Sequence, residues 1–368
     1  MLGSEVVFLR VARMQRRQLL GGLAVAAALG PRAVLAQGRL PQAPPEPQPG
    51  RPTVLPPRLR AGDIVGIVSP AGATYERDRS DLVVDAVRAL GFVPRLAPHA
   101  LARYGYLAGT DAERAADVNA LFADPAVRAL LPIRGDWGSA RILPYLDYAT
   151  IRANPKVLIG FSDISALLLG IYAQTGLVTF HGPHGLTAWR SDQVDLFRRV
   201  LIEGEALTYS NPLLGADQDR LMRDQGRIYT LTPGRATGPL IGGNLSVISG
   251  IVGSPYMPTS AGAILFLEDV GESPYRIDRM LTQLKLAGVF DGLAGVVFGQ
   301  CTACGPGAGY GSLTLDDILR DHLQPLGIPA YSGAWIGHVE PLWTLPIGGV
   351  VTLDAGAGTL QMQGAAVS

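Results

Sequence analysis

Val157-Leu158-Ile159-Gly160-Phe161-Ser162-Asp163-Ile164-Ser165-Ala166-Leu167-Leu168-Leu169 is the stretch whose reading decides the fold class. A short aliphatic run, Val157 to Ile159, reads as a buried strand, and the apolar stretch from Ile164 to Thr175 reads as a helix. A strand that passes into a helix through so tight a turn is one unit of a parallel sheet. The same alternation continues upstream. Asp63 to Ser69 is a strand halted by Pro70, and a helix follows over Asp78 to Leu90, with apolar residues at 82, 83, 86, 87 and 90 and a stop at Gly91. Phe92 to Leu96 and Ala129 to Ile133 are further strands, and Asp111 to Phe122 and Ser139 to Leu146 further helices. Repeated strand–helix units favour a doubly wound, mostly parallel sheet of the flavodoxin or amidotransferase kind, an α/β fold with right-handed crossovers. In such sheets chemistry gathers at the carboxyl ends of the strands.

Beyond this α/β domain, placed at residues 59–190, the chain changes character. Residues 191–237 are polar and read as a helix (Asp192 to Ile202) followed by a long connector. Residues 238–368 are rich in glycine and β-branched side chains and read as a second, β-rich domain. Its strands are Ala263 to Glu268 and Gly295 to Gly299, separated by a helix that carries Ile277, Met280, Leu281 and Leu284 on one face. Val350 to Asp354 and Thr359 to Met362 read as a terminal hairpin. There is no internal repeat.

The first 37 residues read as a secretory leader. Arg10, Arg13, Arg16 and Arg17 precede an apolar run from Leu19 to Leu29, and Val34-Leu35-Ala36 is a small-residue cleavage site. The run is too short to span a hydrocarbon core of ~30 Å. Arg16-Arg17-Gln18-Leu19-Leu20 matches a twin-arginine signal, so export to the periplasm is expected, with no membrane insertion once the leader is removed. Met14 is an alternative start, and an uncleaved anchor is the alternative to cleavage. Residues 38–58 are dense in proline and read as an extended linker, with folded chain beginning near Leu59.

The composition narrows the function less. Lys plus Arg and Asp plus Glu number 31 each, so the net charge is zero, and no basic stripe invites nucleic acid. The 2 cysteines, Cys301 and Cys304, stand in Cys-Thr-Ala-Cys, which an oxidising compartment would make a disulfide or a redox motif. Zinc would need two more ligands, and neither His322 nor His338 has clear ligand spacing.

Ser162 is the candidate nucleophile. On a strand-to-helix turn its hydroxyl is lifted clear of the sheet to the helix N-terminus, where free backbone N–H groups favour an oxyanion, the Asp163 amide first among them. This is the mechanical logic of a nucleophile elbow without its usual flanking glycines. Helix capping by Asp163 and Ser165 is the competing reading. A serine needs a base, and spacing does not choose among His99, His181, His184, His322 and His338. Glu268 and Asp269 end an apolar strand, where a carboxylate either caps a turn or orients a partner such as a histidine.

Several motifs then occur in a telling order: Arg134-Gly135-Asp136-Trp137-Gly138, Asn154-Pro155-Lys156, Gly160-Phe161-Ser162-Asp163, Phe180-His181-Gly182-Pro183, Gly242-Gly243-Asn244-Leu245, Leu267-Glu268-Asp269 and Gly337-His338. From about Asp63 to the C-terminus the chain resembles the LD-carboxypeptidase family, the muramoyltetrapeptide carboxypeptidases and their microcin-immunity relatives. The resemblance implies a Ser162–His338–Glu268 triad in a cleft between two domains. It implies no metal or other cofactor, a murein peptide as substrate with release of the terminal D-alanine at an L,D-amide bond, and a homodimer; the alternatives are hydrolysis of another peptide-like amide and a non-catalytic periplasmic peptide-binding protein. The backbone amides of Asp163 and Asp136 would bind the oxyanion, and Arg134, Gly135, Trp137, His181 and Asn244 would contact substrate. In one place the chain departs from the family pattern: the second glycine of Arg-Gly-Gly-(Tyr or Trp)-Gly is Asp136 here. A positive φ at that position would cost a non-glycine residue about 1–2 kcal/mol.

Overall fold

The structure, a computed structural model, describes residues 52–213, 215–223, 225–305 and 311–368. The leader, the alternative start at Met14 and most of the proline-rich segment therefore lie outside the described residues.

The strand–helix alternation read from the sequence is present. In chain order it runs β1 (Ile64–Val68), α1 (Arg77–Ala89), β2 (Val93–Leu96), α2 (Asp111–Ala123), β3 (Val127–Pro132), α3 (Tyr148–Ala153), β4 (Val157–Gly160), α4 (Ser165–Thr175) and β5 (Thr179–His181). The five strands lie parallel in the order β5-β4-β3-β1-β2, the flavodoxin-like winding. Segment 139–145, read as a helix, is a 3₁₀ turn with Pro144 inside it; proline removes the donor an α-helix would need.

The remaining elements are α5 (Ser191–Leu201), β6 (Thr208–Tyr209), β7 (Tyr229–Thr232), β8 (Arg235–Asn244), α6 (Leu245–Ile251), β9 (Ile264–Val270), α7 (Pro274–Leu286), β10 (Gly295–Thr302), α8 (Leu315–Leu323), β11 (Ala330–Ser332), β12 (Leu345–Ile347), β13 (Val350–Asp354) and β14 (Thr359–Met362). All but β12 of these strands form a second sheet in the order β6-β14-β13-β8-β9-β10-β11-β7. Its centre, β8-β9-β10-β11, is parallel, with α6, α7 and α8 as the crossovers. The domain read as β-rich, with a helix between two of its strands, thus has a parallel sheet at its centre, flanked by antiparallel strands that include the expected hairpin β13–β14. Two of the flanking strands, β6 and β7, come from the segment read as a connector.

Strand β12 crosses over to the first sheet and pairs antiparallel with β5, Leu345 opposite His181. Its short run Leu-Pro-Ile suits an edge position, where a missing N–H at Pro346 breaks no ladder. The tie to the chain start is also earlier than read. Val54 exchanges backbone hydrogen bonds of 2.9 Å with Gly176 and Val178, and Pro56 O accepts from Ser368 N at 2.9 Å. Prolines block donation but leave their carbonyls free to accept, so the segment docks without forming a regular element.

Helix α4 joins the two sheets. Leu167, Leu168, Leu169 and Ile171 are all buried, and a helix apolar on every side has neighbours on every side. It packs on β4 and β5 of its own sheet and on α6, β8 and β12 as well. Where β8 ends, Asn244 N donates to Ser165 Oγ at 3.1 Å. A Cβ at Gly243 would come within 2.4 Å of that oxygen, so glycine is what lets the strand end approach the helix start. Cys301 and Cys304 are joined by a disulfide. Among the described residues no helix is long and apolar enough to cross a membrane.

Candidate active site

Ser162 follows the extended Phe161 and takes φ 60°, then opens a 3₁₀ turn, Ser162–Ile164, that runs into α4. A left-handed non-glycine residue costs about 1–2 kcal/mol, and such strain persists only where the surroundings impose it. Those surroundings are visible. Asp163 is 1% exposed; its Oδ2 accepts from Ser139 N at 2.7 Å, and the Ser139 hydroxyl donates to Asp163 O. Burial pushes the Asp163 carboxyl above its ordinary range, against the pull of these bonds. Neither Asp163 nor Ser165 caps α4: the first holds Ser139 and the second accepts from Asn244. The capping reading of the turn is therefore set aside.

The loop 134–138 leans over the same turn. A Cβ on Gly135 would lie 3.1 Å from Ser162 Cβ and 3.2 Å from Asp163 N, so its backbone passes directly beside the serine. Behind the loop, the fully buried Arg114 of α2 donates to Gly138 O at 2.8 Å and to Pro70 O, and pairs with Asp111. One guanidinium thus fixes two loops that leave the carboxyl ends of neighbouring strands, β1 and β3. Nothing in the sequence pattern singles out Arg114, because its role depends on contacts distant along the chain.

The second sheet supplies the other half of the site. Glu268 and Asp269, successive residues at the end of β9, point to opposite faces and do different work. Glu268, 0% exposed, places Oε2 2.9 Å from His338 Nδ1. Asp269 accepts from Asn244 Nδ2, Ser246 N and Val270 N, and is pushed up to about 6 by burial and by the Glu268 charge beside it. Gly337, at φ 114°, is where the loop needs glycine: a Cβ there would fall 2.7 Å from Glu268 Oε2.

Ser162 and His338 line one cavity of about 570 Å³, together with Arg134, Gly135, Asp136, Phe161 and His184, and with Thr74, Tyr75, Glu76 and Arg79 along one wall. Asp136 has φ 88°, so the cost that a positive φ carries for a non-glycine residue applies to it. Its Oδ2 lies 3.1 Å from Arg134 Nη2, so the carboxylate is held by the arginine. Among the described residues no group of three or more His, Cys, Asp or Glu side chains is gathered to hold a metal ion.

Three imidazoles surround the Phe161 ring: His184 stacked at 4.6 Å, His338 edge-on at 5.1 Å and His181 edge-on at 6.3 Å. Desolvation keeps the fully buried His181 and the half-buried His184 neutral, lowering them to about 3 and about 4, with Arg134 acting on His184 and the nearby His338 on both in the same direction. Two buried residues expected to contact substrate stand outside the cavity lining. His181 is 0% exposed, sits between Phe161 and Phe266, and is not part of the cavity lining. Asn244 is the N-cap of α6, its Oδ1 accepting from Val247 N, and it too lies outside the cavity lining. Trp137 is half exposed and does not line the cavity, whereas Arg134 and Gly135 do. Sequence reasoning missed Phe161 as the shared platform and the wall from Thr74 to Arg79. The remaining histidines are engaged elsewhere, His99 with Asp117 at 2.8 Å and His322 with Asp278 at 2.7 Å.

Comparison with known proteins identifies the family. Residues 65–182 match the LD-carboxypeptidase N-terminal domain and residues 237–353 the LD-carboxypeptidase C-terminal domain. A Bacillus subtilis protein named "Probable murein peptide carboxypeptidase" is 36% identical over 83% of this chain and 92% of its own length. A Pseudomonas aeruginosa protein named "Murein tetrapeptide carboxypeptidase" is 32% identical over 79% of this chain and 92% of its own. The solved structure of MccF in complex with glutamyl sulfamoyl guanosine superimposes with a TM-score of 0.75 at 30% identity, covering 85% of this chain and 99% of that one. Both halves of the chain, and nearly the full length of these relatives, are thus accounted for by one family: the chain belongs to the LD-carboxypeptidases and is a serine-type peptidase.

Proposed function

We propose that the protein removes the terminal D-alanine from murein stem tetrapeptides by hydrolysing the L,D-amide bond, with Ser162 as nucleophile, His338 as general base and Glu268 as the carboxylate that orients it. The observation that carries this reading is the His338–Glu268 contact of 2.9 Å behind a cavity that Ser162 and His338 line together. With Glu268 accepting from Nδ1–H, the neutral imidazole keeps its lone pair on Nε2, the nitrogen a serine hydroxyl can use. Ser162 Oγ attacks the carbonyl carbon while His338 takes its proton. As the C–N bond breaks, His338 passes that proton to the leaving amine of D-alanine, and water then hydrolyses the acyl-serine by the same base.

The amides of Asp163 and Asp136 are assigned to the oxyanion. The reason is the close passage of Gly135 along Ser162 and the capture of the Asp136 carboxylate by Arg134, which draws its negative charge toward a cation. Arg134 and Gly135, which line the cavity, would meet the peptide. The likeness to MccF favours a second reading, in which the same triad cleaves another peptide-like amide. We place the action in the periplasm, on the strength of the twin-arginine leader, and expect a homodimer. Mass detection of D-alanine from murein tetrapeptide, with wild type beside Ser162→Ala, tests the reading. Release by wild type alone supports it, and wild type that leaves the tetrapeptide intact but cleaves an aminoacyl-nucleotide amide supports the second reading.

A further inference from the structure

The loop that carries His338 hangs from the last residues of β10. Gln300 N donates to Ile336 O at 2.9 Å, and two residues on Thr302 Oγ1 donates to His338 O at 3.1 Å. Across the sheet the same end is anchored to β9. Cys301 pairs with Asp269 and Thr302 with Val270, after a register shift between Phe298 and Cys301, and Gly271 N donates to Thr302 O at 2.8 Å. One short segment therefore touches both the strand end that presents Glu268 and the loop that presents His338.

That segment is closed on itself by the Cys301–Cys304 disulfide, with Thr302 inside the ring. Ala303, also inside it, has φ 55°, which costs an alanine about 1–2 kcal/mol. A strand end bent by a shifted register and followed by a strained turn is the kind of terminus that frays when nothing binds it. The crosslink removes that freedom. Both cysteines are only part-buried, so a small reductant can reach them.

We infer that Thr302 is a positioning residue for His338 and that the Cys301–Cys304 disulfide holds it in place, making the general base responsive to thiol–disulfide exchange. The inference rests on His338 being the base. In the exchange a dithiol reductant attacks one sulfur as thiolate and forms a mixed disulfide. Its second thiol then displaces the protein; two electrons and two protons pass to Cys301 and Cys304, and the reductant leaves as its own disulfide. The reduced ring opens, Thr302 loses its fixed hydroxyl position, and the imidazole loses the support of its backbone. The triad stays chemically intact but is misplaced, so kcat falls and KM does not.

The test uses the full chain, oxidised or treated with dithiothreitol, with free thiols counted by alkylation and mass. Expected on reduction is a fall of about 10- to 100-fold in kcat for tetrapeptide and in the rate at which a fluorophosphonate labels Ser162. The double variant Cys301→Ser/Cys304→Ser should sit at the reduced level and ignore the reductant. Thr302→Val should lose kcat in the oxidised protein with its melting temperature kept, and Thr302→Ser should restore it. Titration of the His338 imidazole by NMR, which needs no substrate, should differ between the two redox states. If the tetrapeptide proves the wrong substrate, the labelling rate and the imidazole titration still respond to reduction. Full labelling rate and an unmoved His338 titration in protein shown to carry two free thiols would overturn the inference, as would a fully active Thr302→Val.

Discussion

His338 Nδ1 and Glu268 Oε2 stand 2.9 Å apart although the two residues come from different elements, a loop and a strand end, separated by 70 positions. Gly337 makes the approach possible by presenting no side chain to the carboxylate, and burial of Glu268 at 0% exposure makes the contact strong. The contact has a kinetic consequence. Glu268→Gln preserves the shape of the side chain but lets an amide N–H face Nδ1, which favours the wrong tautomer. A fall in kcat of about 10²–10⁴-fold with little change in KM is expected from steady-state kinetics; a variant that keeps wild-type kcat would remove Glu268 from the mechanism.

Strain at the nucleophile should be visible as stability. Ser162 holds φ 60°, a conformation glycine adopts freely. Ser162→Gly should abolish turnover yet raise the unfolding free energy by about 1 kcal/mol, the relief of the left-handed cost less the extra chain entropy of glycine. Urea unfolding of the two proteins measures this, and a destabilised Ser162→Gly would show that the turn is not strained.

Asp136 should tune the charge of the cavity. Its Oδ2 occupies Arg134 Nη2 at 3.1 Å, so a peptide carboxylate approaching that guanidinium meets a like charge. Asp136→Asn keeps the size and tolerates the positive φ. It should raise kcat/KM for peptides with a free terminal carboxylate by about fivefold, the worth of roughly 1 kcal/mol between solvated charges. Peptides whose terminus is amidated should not gain. Equal response of acid and amide would place Arg134 away from the peptide terminus.

Two desolvated imidazoles make the fold sensitive to acid. His181 and His184 are lowered from 6.5 to about 3 and about 4, so below pH 6.5 the unfolded chain binds protons that the folded chain refuses. Their stabilisation is complete above pH 6.5 and is lost progressively as pH falls toward 4 and 3. Asp269 acts in the opposite sense: raised from 3.8 to about 6, its contribution is present below 3.8 and lost as pH rises through 6, and it offsets part of the loss. His181→Leu, close in volume and outside the cavity lining, should keep activity. Between pH 7.5 and pH 5 it should lose about 2 kcal/mol less stability than wild type. Denaturant midpoints at the two pH values decide it, and parallel losses in both proteins would contradict the assignment.

The legible parts of the fold and the site were those coded by neighbours in sequence. The stretch Val157 to Thr175 shows strand, turn and helix by its own periodicity, and the alternation around it yields the parallel sheet. The identities of Glu268 and His338 as candidates came from ordered motifs, not from spacing, because a carboxylate and an imidazole meet only through the pairing of β8, β9 and β10. Contacts of that range also account for what local pattern does not show. Strand β12 is three residues long and finds its partner in the other sheet. The side chain of Asn244 is taken up by its own helix start and by Asp269 of the neighbouring strand, a pairing that local pattern does not show. His181 and His184 flank Gly182-Pro183, and the chain there sends the first ring inward and the second to the cavity.

The central claim is that Ser162 is activated by His338, and mass spectrometry of the intact protein after treatment with a fluorophosphonate tests it most directly. One adduct per chain is expected, mapped to Ser162, absent in Ser162→Ala and formed much more slowly in His338→Ala. An adduct on another serine, or one that forms at the wild-type rate without His338, would contradict the account.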